Sequence, residues 1–300
     1  MTLQVKKDIQ SVYKENSTVL KESRLFNFIN KDKTFSISFL EGQKAIHDLA
    51  LIHSVKAQGF GFFRDCTLSV LPLINFLKPQ ENMGIFIDSD SPYFRYKMEM
   101  NSAGLFRTLI LPEELPQVPK KITGNLRTAK QFPHSKVPYT SVIEVKNRTI
   151  KEIVNDFFAK SYQTKSQIIL SDDSDQVVLI TKLPEVNVNK EEIVESQSLP
   201  DFISQNHDIF LELLQKAHTE EDVIQNAFKE LGYDFLTSTQ VSFKCNCSRD
   251  RMVMGVAGVV KSNGIDDVFQ KDASLETKCD YCKTSFLITR EEITNILNLQ

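Results

Sequence analysis

The sequence predicts an α+β protein with three zones, namely a core of mixed sheet and helix over residues 1–186, a helical linker over 187–235 and a small domain over 236–300. The chain has 300 residues, more than one compact core usually needs, and its 41% apolar and 25% charged residues are ordinary for a globular protein. Residues 187–235 carry 11 acidic and 3 basic residues, whereas 236–300 carry 8 of each. Four of the five cysteines lie in the last zone. The distributions of charge and cysteine therefore indicate the three zones.

Apolar alternation, helical periodicity and turn residues predict the elements of the first zone. Asn30 to Lys33 forms the turn of a hairpin, and Pro72 interrupts an otherwise helical stretch. The segment between residues 111 and 139 is assigned to a connection rich in Pro and Lys. The predicted elements are strands 25–29 and 35–40, helices 42–53 and 60–77, strands 84–88, 93–100, 105–111 and 139–145, helix 149–162, and strands 167–170 and 177–183.

The second zone is predicted to be helical and amphipathic. Apolar residues from 199 to 214 recur at spacings that line one helix face, and a second apolar stripe runs from 223 to 231. Thr219 to Asp222 has the polar pattern of a helix start, and Gly232 is placed to end that helix. The surplus carboxylates are interpreted as a solvated helical face. The apolar stripe needs a surface to pack against, and ordinary core packing is the simplest interpretation.

The third zone contains the pair Cys245 and Cys247 and, after 31 intervening residues, the pair Cys279 and Cys282. Paired thiols at both ends of a segment are the pattern expected when four thiolates meet at a tetrahedral zinc ion. The usual zinc ribbon has two C-x-x-C pairs about 15 to 20 residues apart, so the first pair here is tighter and the gap is longer. Because no secretory signal precedes these clustered thiols, a reduced metal site is favoured over a disulfide scaffold.

The long segment between the two cysteine pairs is predicted to fold. Ser248 can cap a helix that runs through residues 252–260, Gly264 can end it, and residues 265–270 can form a further turn. A domain of about 65 residues can hardly form a large core alone. A structural zinc ion contributes about 10–16 kcal/mol in small peptides, so folding of this domain would depend on the four thiolates. On spacing alone, a permanent structural zinc site is the favoured interpretation.

Two features of the cysteines point towards redox sensing. A disulfide within a C-x-C pair has strained geometry, and strained disulfides are the readily reduced, regulatory kind. Cys247 precedes a predicted helix N-terminus and lies near Lys244, Arg249 and Arg251 in the sequence, which favours its thiolate form. Reversible oxidation is therefore a second interpretation of the same site.

At these residues the chain resembles the heat-shock protein 33 family, the redox-regulated chaperonins of about 33 kilodaltons. The strongest match is Phe243 to Arg251 (FKCNCSRDR) followed by Lys278 to Cys282 (KCDYC), which has the family's order of C-x-C, long insert and C-x-x-C. Weaker support comes from residues 137–139, 149–163 and 104–107. The resemblance covers residues 23–297.

The resemblance implies a holdase chaperone of the stress response that binds unfolding or oxidatively damaged proteins and prevents their aggregation. It implies that the reduced form is inactive and binds one zinc ion through Cys245, Cys247, Cys279 and Cys282. It also implies that oxidation pairs Cys245 with Cys247 and Cys279 with Cys282 in disulfide bonds, releases zinc and activates the protein. Formation of a homodimer on activation is left open.

Two other classes of function remain as alternatives. The first is a module of the zinc-ribbon type that binds a protein or nucleic acid through a purely structural metal; the even charge of residues 236–300 disfavours nucleic acid. The second is a disulfide oxidoreductase, but no βαβ pattern surrounds the C-x-x-C pair of Cys279 and Cys282. We find no catalytic arrangement of Ser, His and Asp in the sequence, and therefore expect that the protein is not an enzyme.

Three further expectations concern the location of the protein and two isolated features. No apolar run approaches the roughly 20 residues of a spanning helix, and no apolar stretch follows Met1 to Gln10, so we expect a cytoplasmic protein with no membrane partner. Cys66 lies in an apolar stretch and is interpreted as a small buried hydrophobic residue. Asp172, Asp173 and Asp175 form an acidic turn, for which calcium binding is left open because the turn lacks the Gly and final Glu of a known calcium loop.

Overall fold

The computed structural model describes residues 20–115, 117–184 and 197–298, and these divide between two units, Met1–Phe243 and Lys244–Gln300. The first ten residues of the predicted linker, 187–196, lie outside the described residues. Helices and sheets occur together in the first unit, so the predicted α+β class is confirmed. None of the helices in the described part of the chain combines the length and apolar character needed to cross a bilayer.

The strands of the first unit form two sheets. The sheet we call sheet A has the order β10-β1-β2-β9-β8, and sheet B has the order β11-β5-β4-β3-β6-β7. Adjacent strands are antiparallel, except that β11 pairs with β5 in parallel. The strands are β1 (Arg24–Asn30), β2 (Phe35–Glu41), β3 (Asn82–Ser91), β4 (Tyr93–Asn101), β5 (Leu105–Leu111), β6 (Ile122–Gln131), β7 (Tyr139–Arg148), β8 (Ser166–Leu170), β9 (Gln176–Lys182), β10 (Tyr233–Gln240) and β11 (Ser242–Phe243).

The helices of the first unit begin and end close to the positions predicted from the sequence. Pro72 lies in the first turn of a 3-10 helix, which explains why the second helix ends at Val70. Thr149 and Glu152 form a reciprocal capping box at the start of the third helix. The helices are α1 (Gln43–Ile52), α2 (Ala57–Val70) with the 3-10 helix Leu71–Phe76, α3 (Ile150–Phe157) with the π-helical turn Phe158–Tyr162, α4 (Leu199–Gln215) and α5 (Glu221–Glu230).

Sheet A separates two apolar clusters. Strand β2 is buried on both faces, because Leu40 packs with α1, α2 and sheet B while Phe35 and Phe39 pack with α4 and α5. The apolar stripe predicted for the linker therefore has a partner, which is the outer face of sheet A. We call the apolar side chains of this face the covered face; they include Phe26, Phe28, Phe35, Ile37, Phe39, Val178 and Ile180.

The second unit contains a short helical insert and a hairpin. Its helix α6 is followed by α7 and by two antiparallel strands that pair with each other. The elements are α6 (Arg249–Asn263), α7 (Ile265–Phe269), β12 (Ser274–Lys278), β13 (Ser285–Thr289) and α8 (Arg290–Asn298). The sequence predicts α6 and α7 correctly, since Ser248 caps α6 and Gly264 ends it with a φ of +93°. It does not predict β12, β13 or α8.

Two further features differ from the sequence expectations. Strand β6 lies in the segment assigned to a connection, although the burial of Ile122, Leu126 and Thr128 follows the alternation of a strand. The unit boundary falls after Phe243, whereas the sequence division begins its last zone at 236. The reason is that β10 adds to the edge of sheet A by pairing with β1, which is about 200 residues earlier.

Gly104 is predicted to be a sensitive position of the first unit. Its φ is +81°, and a Cβ atom there would overlap the carbonyl oxygen of Gln240. We expect Gly104→Ala to lower the free energy of unfolding by about 1–3 kcal/mol or more, because left-handed strain and steric overlap add. Chemical denaturation of the reduced protein measures this.

Gly61→Ala is the control for this prediction. Gly61 lies in α2, and a Cβ atom at this position would meet no other atom within 4 Å. A gain in stability of about 0.5–1 kcal/mol is expected, because alanine favours a helix interior more than glycine does. Equal stability of the two variants would contradict the prediction.

Candidate functional site

The four cysteines of the second unit lie together. Their sulfur atoms all lie within 4.8 Å of one another, with 3.8 Å between Cys245 and Cys279 and 3.3 Å between Cys247 and Cys282. Four sulfurs held about 2.3 Å from a tetrahedral zinc ion lie about 3.8 Å apart. The sequence-predicted site residues are therefore brought to one place with a spacing that suits four-thiolate coordination.

The first cysteine pair is positioned by the start of α6. The Ser248 hydroxyl accepts a hydrogen bond from the backbone N–H of Arg251 at 3.3 Å, which begins the helix directly after Cys247. The Arg251 side chain donates from Nη1 to the carbonyl oxygen of Asn246 at 3.0 Å. The peptide between Cys245 and Cys247 is thereby held by the same helix turn.

The second cysteine pair lies in the turn between β12 and β13. The backbone N–H of Cys279 donates to the Thr284 carbonyl at 2.9 Å, and the N–H of Lys283 donates to the Cys279 carbonyl at 2.8 Å. Lys283 has a φ of +58°, which allows the chain to reverse between the two strands. The tight turn directs Cys279 and Cys282 to the same side as the first pair.

The ionisation of the thiols reflects their crowding. Burial and hydrogen bonding to Cys282 raise the pKa of Cys247, so the expectation that its place before a helix favours the thiolate is wrong for this structure. The pKa of Cys279 is raised by burial as well. Burial also raises the pKa of Cys282, but hydrogen bonds with the side chain and backbone of Thr284 outweigh it and lower this pKa to about 7. Neighbouring thiolates repel one another, and a bound cation relieves this repulsion. The donor set of four sulfurs fits a soft ion such as zinc better than Ca²⁺ or Mg²⁺.

The second unit has a small apolar core. Arg249 of α6 and Glu292 of α8 add an ion pair at 2.5 Å, with Arg249 about half exposed. Ion pairs this accessible to water are screened, so the contact adds little to stability. The fold of the second unit therefore depends strongly on whatever holds the two cysteine pairs together. The buried apolar side chains of the core come from α6, α7, β13 and α8, and they are Val253, Val256, Ala257, Val260, Phe269, Ile288 and Ile293.

In the first unit, the linker helices cover sheet A through stacked aromatic rings. Phe228 of α5 stacks on Phe28 with ring centroids 4.0 Å apart, and Phe202 of α4 stacks on Phe35 at 3.9 Å. The sequence predicts the apolar stripes of both helices and the strands β1, β2, β8 and β9 of sheet A, but not that these helices cover these strands. The alternation of apolar residues along β2 is a signal for a buried face, but it does not identify the covering element.

Sequence reasoning also misses Thr284, whose side chain lies 3.2 Å from Cys282 Sγ; a hydroxyl residue two positions after the last cysteine is its only sequence signal. The fifth cysteine, Cys66, is fully buried in the first unit, as expected for a small hydrophobic residue. It belongs to α2 and packs in the apolar cluster of the first unit, and it is not one of the four clustered thiols.

Comparisons with known proteins identify similar chains. A family model described as Hsp33 protein matches residues 23–289. A 33 kDa chaperonin of Desulforamulus reducens is 25% identical over 240 residues, which cover 74% of this chain and 79% of the relative. A 33 kDa chaperonin of Prochlorococcus marinus strain AS9601 is 28% identical over 171 residues, about half of each chain at 54% and 56%.

A solved structure has the same fold. The crystal structure of the 33 kDa chaperonin from Thermotoga maritima matches with a TM-score of 0.72 and covers 93% of this chain and 99% of that one. The sequence identity between the two chains is 16%, so the match describes the fold. It extends over nearly all of both molecules.

Proposed function

Because the chain belongs to the Hsp33 family, we propose that it is a redox-regulated molecular chaperone that holds unfolding proteins and prevents their aggregation under oxidative and heat stress. Its clients would be unfolded or oxidatively damaged proteins, and it would act in the cytoplasm without catalysis and without binding membranes or nucleic acid. Formation of a homodimer on activation belongs to the same proposal. The observation that carries it is the meeting of four sulfurs in a unit with so small an apolar core.

In the reduced, inactive state, Cys245, Cys247, Cys279 and Cys282 would hold one Zn²⁺ ion. When bound, this ion supplies a tetrahedral centre that joins the two cysteine pairs, and such sites contribute about 10–16 kcal/mol to folding in small peptides. The chain's own contribution is the orientation of the four sulfurs by the α6 cap and by the β12–β13 turn. Hydrogen bonds of the adjacent elements support both cysteine pairs.

Activation would begin with oxidation of these thiols by a peroxide. A thiolate attacks one peroxide oxygen, the O–O bond breaks, and water leaves as the sulfur becomes a sulfenic acid. A second thiol then attacks that sulfur, which forms the disulfide and releases a second water molecule. Two peroxide molecules thus oxidise four thiols, pairing Cys245 with Cys247 and Cys279 with Cys282. The oxidised sulfurs no longer supply four thiolate ligands, so the metal would be released and the second unit would unfold.

Exposure of the covered face would follow. Residues 231–244, which include β10 and β11, join the end of α5 to the first cysteine pair, so unfolding of the second unit would act on the linker through these two strands. We propose that α4 and α5 then leave sheet A. The phenylalanines of the covered face and the apolar stripes of both helices would become a large apolar surface, which can bind unfolding proteins without sequence preference. The acidic surplus of the linker would keep the resulting complexes in solution.

The experiment is to treat reduced, zinc-loaded protein with hydrogen peroxide and mild heat. We expect release of one zinc ion per chain, loss of four free thiols, increased binding of a hydrophobic dye and suppressed aggregation of a heat-unfolded client, all reversed by a thiol reductant. Cys66→Ala is the matched control and should respond like the natural chain. Unchanged dye binding and client aggregation after zinc release would refute the chaperone switch. Salt-dependent binding to DNA under the same conditions would instead favour the zinc-ribbon alternative.

A further inference from the structure

A polar cavity of about 270 Å³ lies in the first unit. It forms where β2 ends, where β8 turns into β9, and where the connection between α4 and α5 passes over them. Its lining includes the carboxylates Glu41, Asp172, Asp173 and Asp175, one guanidinium, Arg64, and the amide of Gln176. The acidic turn noted in the sequence therefore meets a buried glutamate that the sequence does not connect with it. Carboxylates alone do not make a binding site, but the buried amide of Gln176 adds an oxygen atom that lacks a hydrogen-bond donor.

The Gln176 side chain presents an oxygen without a protein partner. Gln176 is 2% exposed, and within the described residues its Oε1 atom has no hydrogen-bond donor. The same amide donates from Nε2 to the carbonyl oxygen of His218 at 2.7 Å, which fixes its orientation. Gln176 is directly opposite Glu41 in the β2–β9 pairing, so the two side chains leave the same face of sheet A about 5 Å apart. A buried acceptor of this kind is normally satisfied.

The second buried group in this cavity is the carboxylate of Glu41. Glu41 is 3% exposed, and its Oε1 atom accepts a hydrogen bond from the Gln43 N–H at 3.0 Å. Burial raises the pKa of Glu41 to about 7, the Gln43 hydrogen bond lowers it, and the negative charge of Asp175 raises it further. A cation between the two carboxylates would reverse the effect of Asp175 and favour the ionised form of Glu41.

Arg64 does not supply this cation, because each nitrogen of its guanidinium group already donates to other oxygen atoms. Its Nε donates to Asp175 Oδ1 at 2.6 Å and its Nη1 donates to Asp65 Oδ1 at 2.6 Å. Its Nη2 donates to the carbonyl oxygens of Ser171, at 3.0 Å, and Ser174. These bonds hold the acidic turn against α2. They leave the second oxygen of Asp175, the Glu41 carboxylate and Gln176 Oε1 available to coordinate a cation.

We propose that this cavity binds one hard divalent cation, with Ca²⁺ preferred over Mg²⁺, through Glu41, Asp175 and Gln176 Oε1. The donor set is all oxygen, which suits Ca²⁺ and Mg²⁺ and not a soft metal. The oxygens belong to two strands and a turn and do not form a dedicated octahedral set, which Ca²⁺ tolerates better than Mg²⁺ does. The cavity has room for several waters of about 30 Å³ each. Ala217 and Thr219 line the same cavity, so the ion would lie under the α4–α5 connection. This inference does not depend on the proposed function.

The test is calorimetric titration of the reduced, zinc-loaded full-length protein with CaCl₂ and, separately, MgCl₂ at pH 8. We expect one Ca²⁺ per chain and at least tenfold weaker binding of Mg²⁺. Glu41→Gln should weaken Ca²⁺ binding at least tenfold, and it should fold because it replaces a buried carboxyl with an amide of the same shape. Gln176→Leu tests the orphaned oxygen independently and should also weaken binding. Glu144→Gln is the control, because Glu144 is an exposed residue of β7.

The outcomes distinguish a specific Ca²⁺ site from non-specific binding of Ca²⁺ to surface carboxylates. Stoichiometric binding that is lost in Glu41→Gln or Gln176→Leu and kept in Glu144→Gln supports the proposal. Absence of Ca²⁺ binding by the natural chain overturns it, as does equal binding by the natural chain and all three variants. The zinc content is measured before and after each titration, so displacement at the cysteines would be seen separately.

Discussion

Cys279→Ser is expected to unfold the second unit, Lys244–Gln300, and to abolish zinc retention while the two sheets of the first unit stay folded. Cys279 is the most buried of the four clustered cysteines. The second unit has only a small apolar core to replace a metal that contributes about 10–16 kcal/mol in comparable small peptides. The sheets of the first unit pack on a large apolar cluster that the linker helices do not form, so these sheets do not need the metal.

Hydrogen exchange combined with a zinc assay measures this result. Amides of α6 and α8 should exchange at the rate of an unfolded chain in Cys279→Ser, whereas amides of β2 and β9 keep their protection. Cys66→Ala is the matched control, since it removes the remaining cysteine and should keep one zinc ion and full protection. If Cys279→Ser kept the protection of α6 and bound no zinc, the metal would be unnecessary for the fold, and the redox switch proposed here would lose its physical basis.

Phe228→Ala is expected to expose the covered face in the reduced protein without oxidation. Phe228 is fully buried, stacks on Phe28 and meets Phe39 edge-on at 5.5 Å. Of the ten residues of α5, only Ile224 and Phe228 are buried, so the substitution removes one of two side chains that hold this helix to the sheet. Truncation of a buried phenylalanine costs about 3–5 kcal/mol, and Ile224 would then be the one buried side chain of α5 that remains.

Binding of a hydrophobic dye and suppression of client aggregation by reduced, zinc-loaded protein measure this effect. Both should rise towards the level of the oxidised natural chain, while the zinc content stays at one ion. Val223→Ala is the control on the same helix, because Val223 is exposed and its truncation uncovers nothing. A Phe228→Ala protein that suppresses aggregation no better than Val223→Ala would place the client-binding surface somewhere other than under α5.

Local features of this chain are predictable because they depend on neighbouring residues. Ser248 caps α6, Gly264 ends it and Pro72 ends α2 through steric and hydrogen-bonding effects that act within one helical turn. The spacing of the cysteines predicts that they meet, since ligand geometry restricts which residues can share a metal ion, and the four sulfurs do lie together. The burial of Cys66 follows in the same way from its apolar neighbours.

Other features were decided only by tertiary structure, because they join segments far apart in the chain. Strand β10 pairs with β1, and nothing near residues 233–240 in the sequence specifies that partner. The phenylalanines of β2 predict a buried face, but burial by α4 and α5 depends on how the whole unit excludes water. Glu41 and Gln176 meet because β2 pairs with β9, which gives the acidic turn at Asp175 its buried partners. The sequence by itself determined both ends of α6, the last residue of α2 and the spacing of the clustered cysteines. Tertiary structure decided which surfaces are covered and which charges lie together, since burial is a property of the assembled chain.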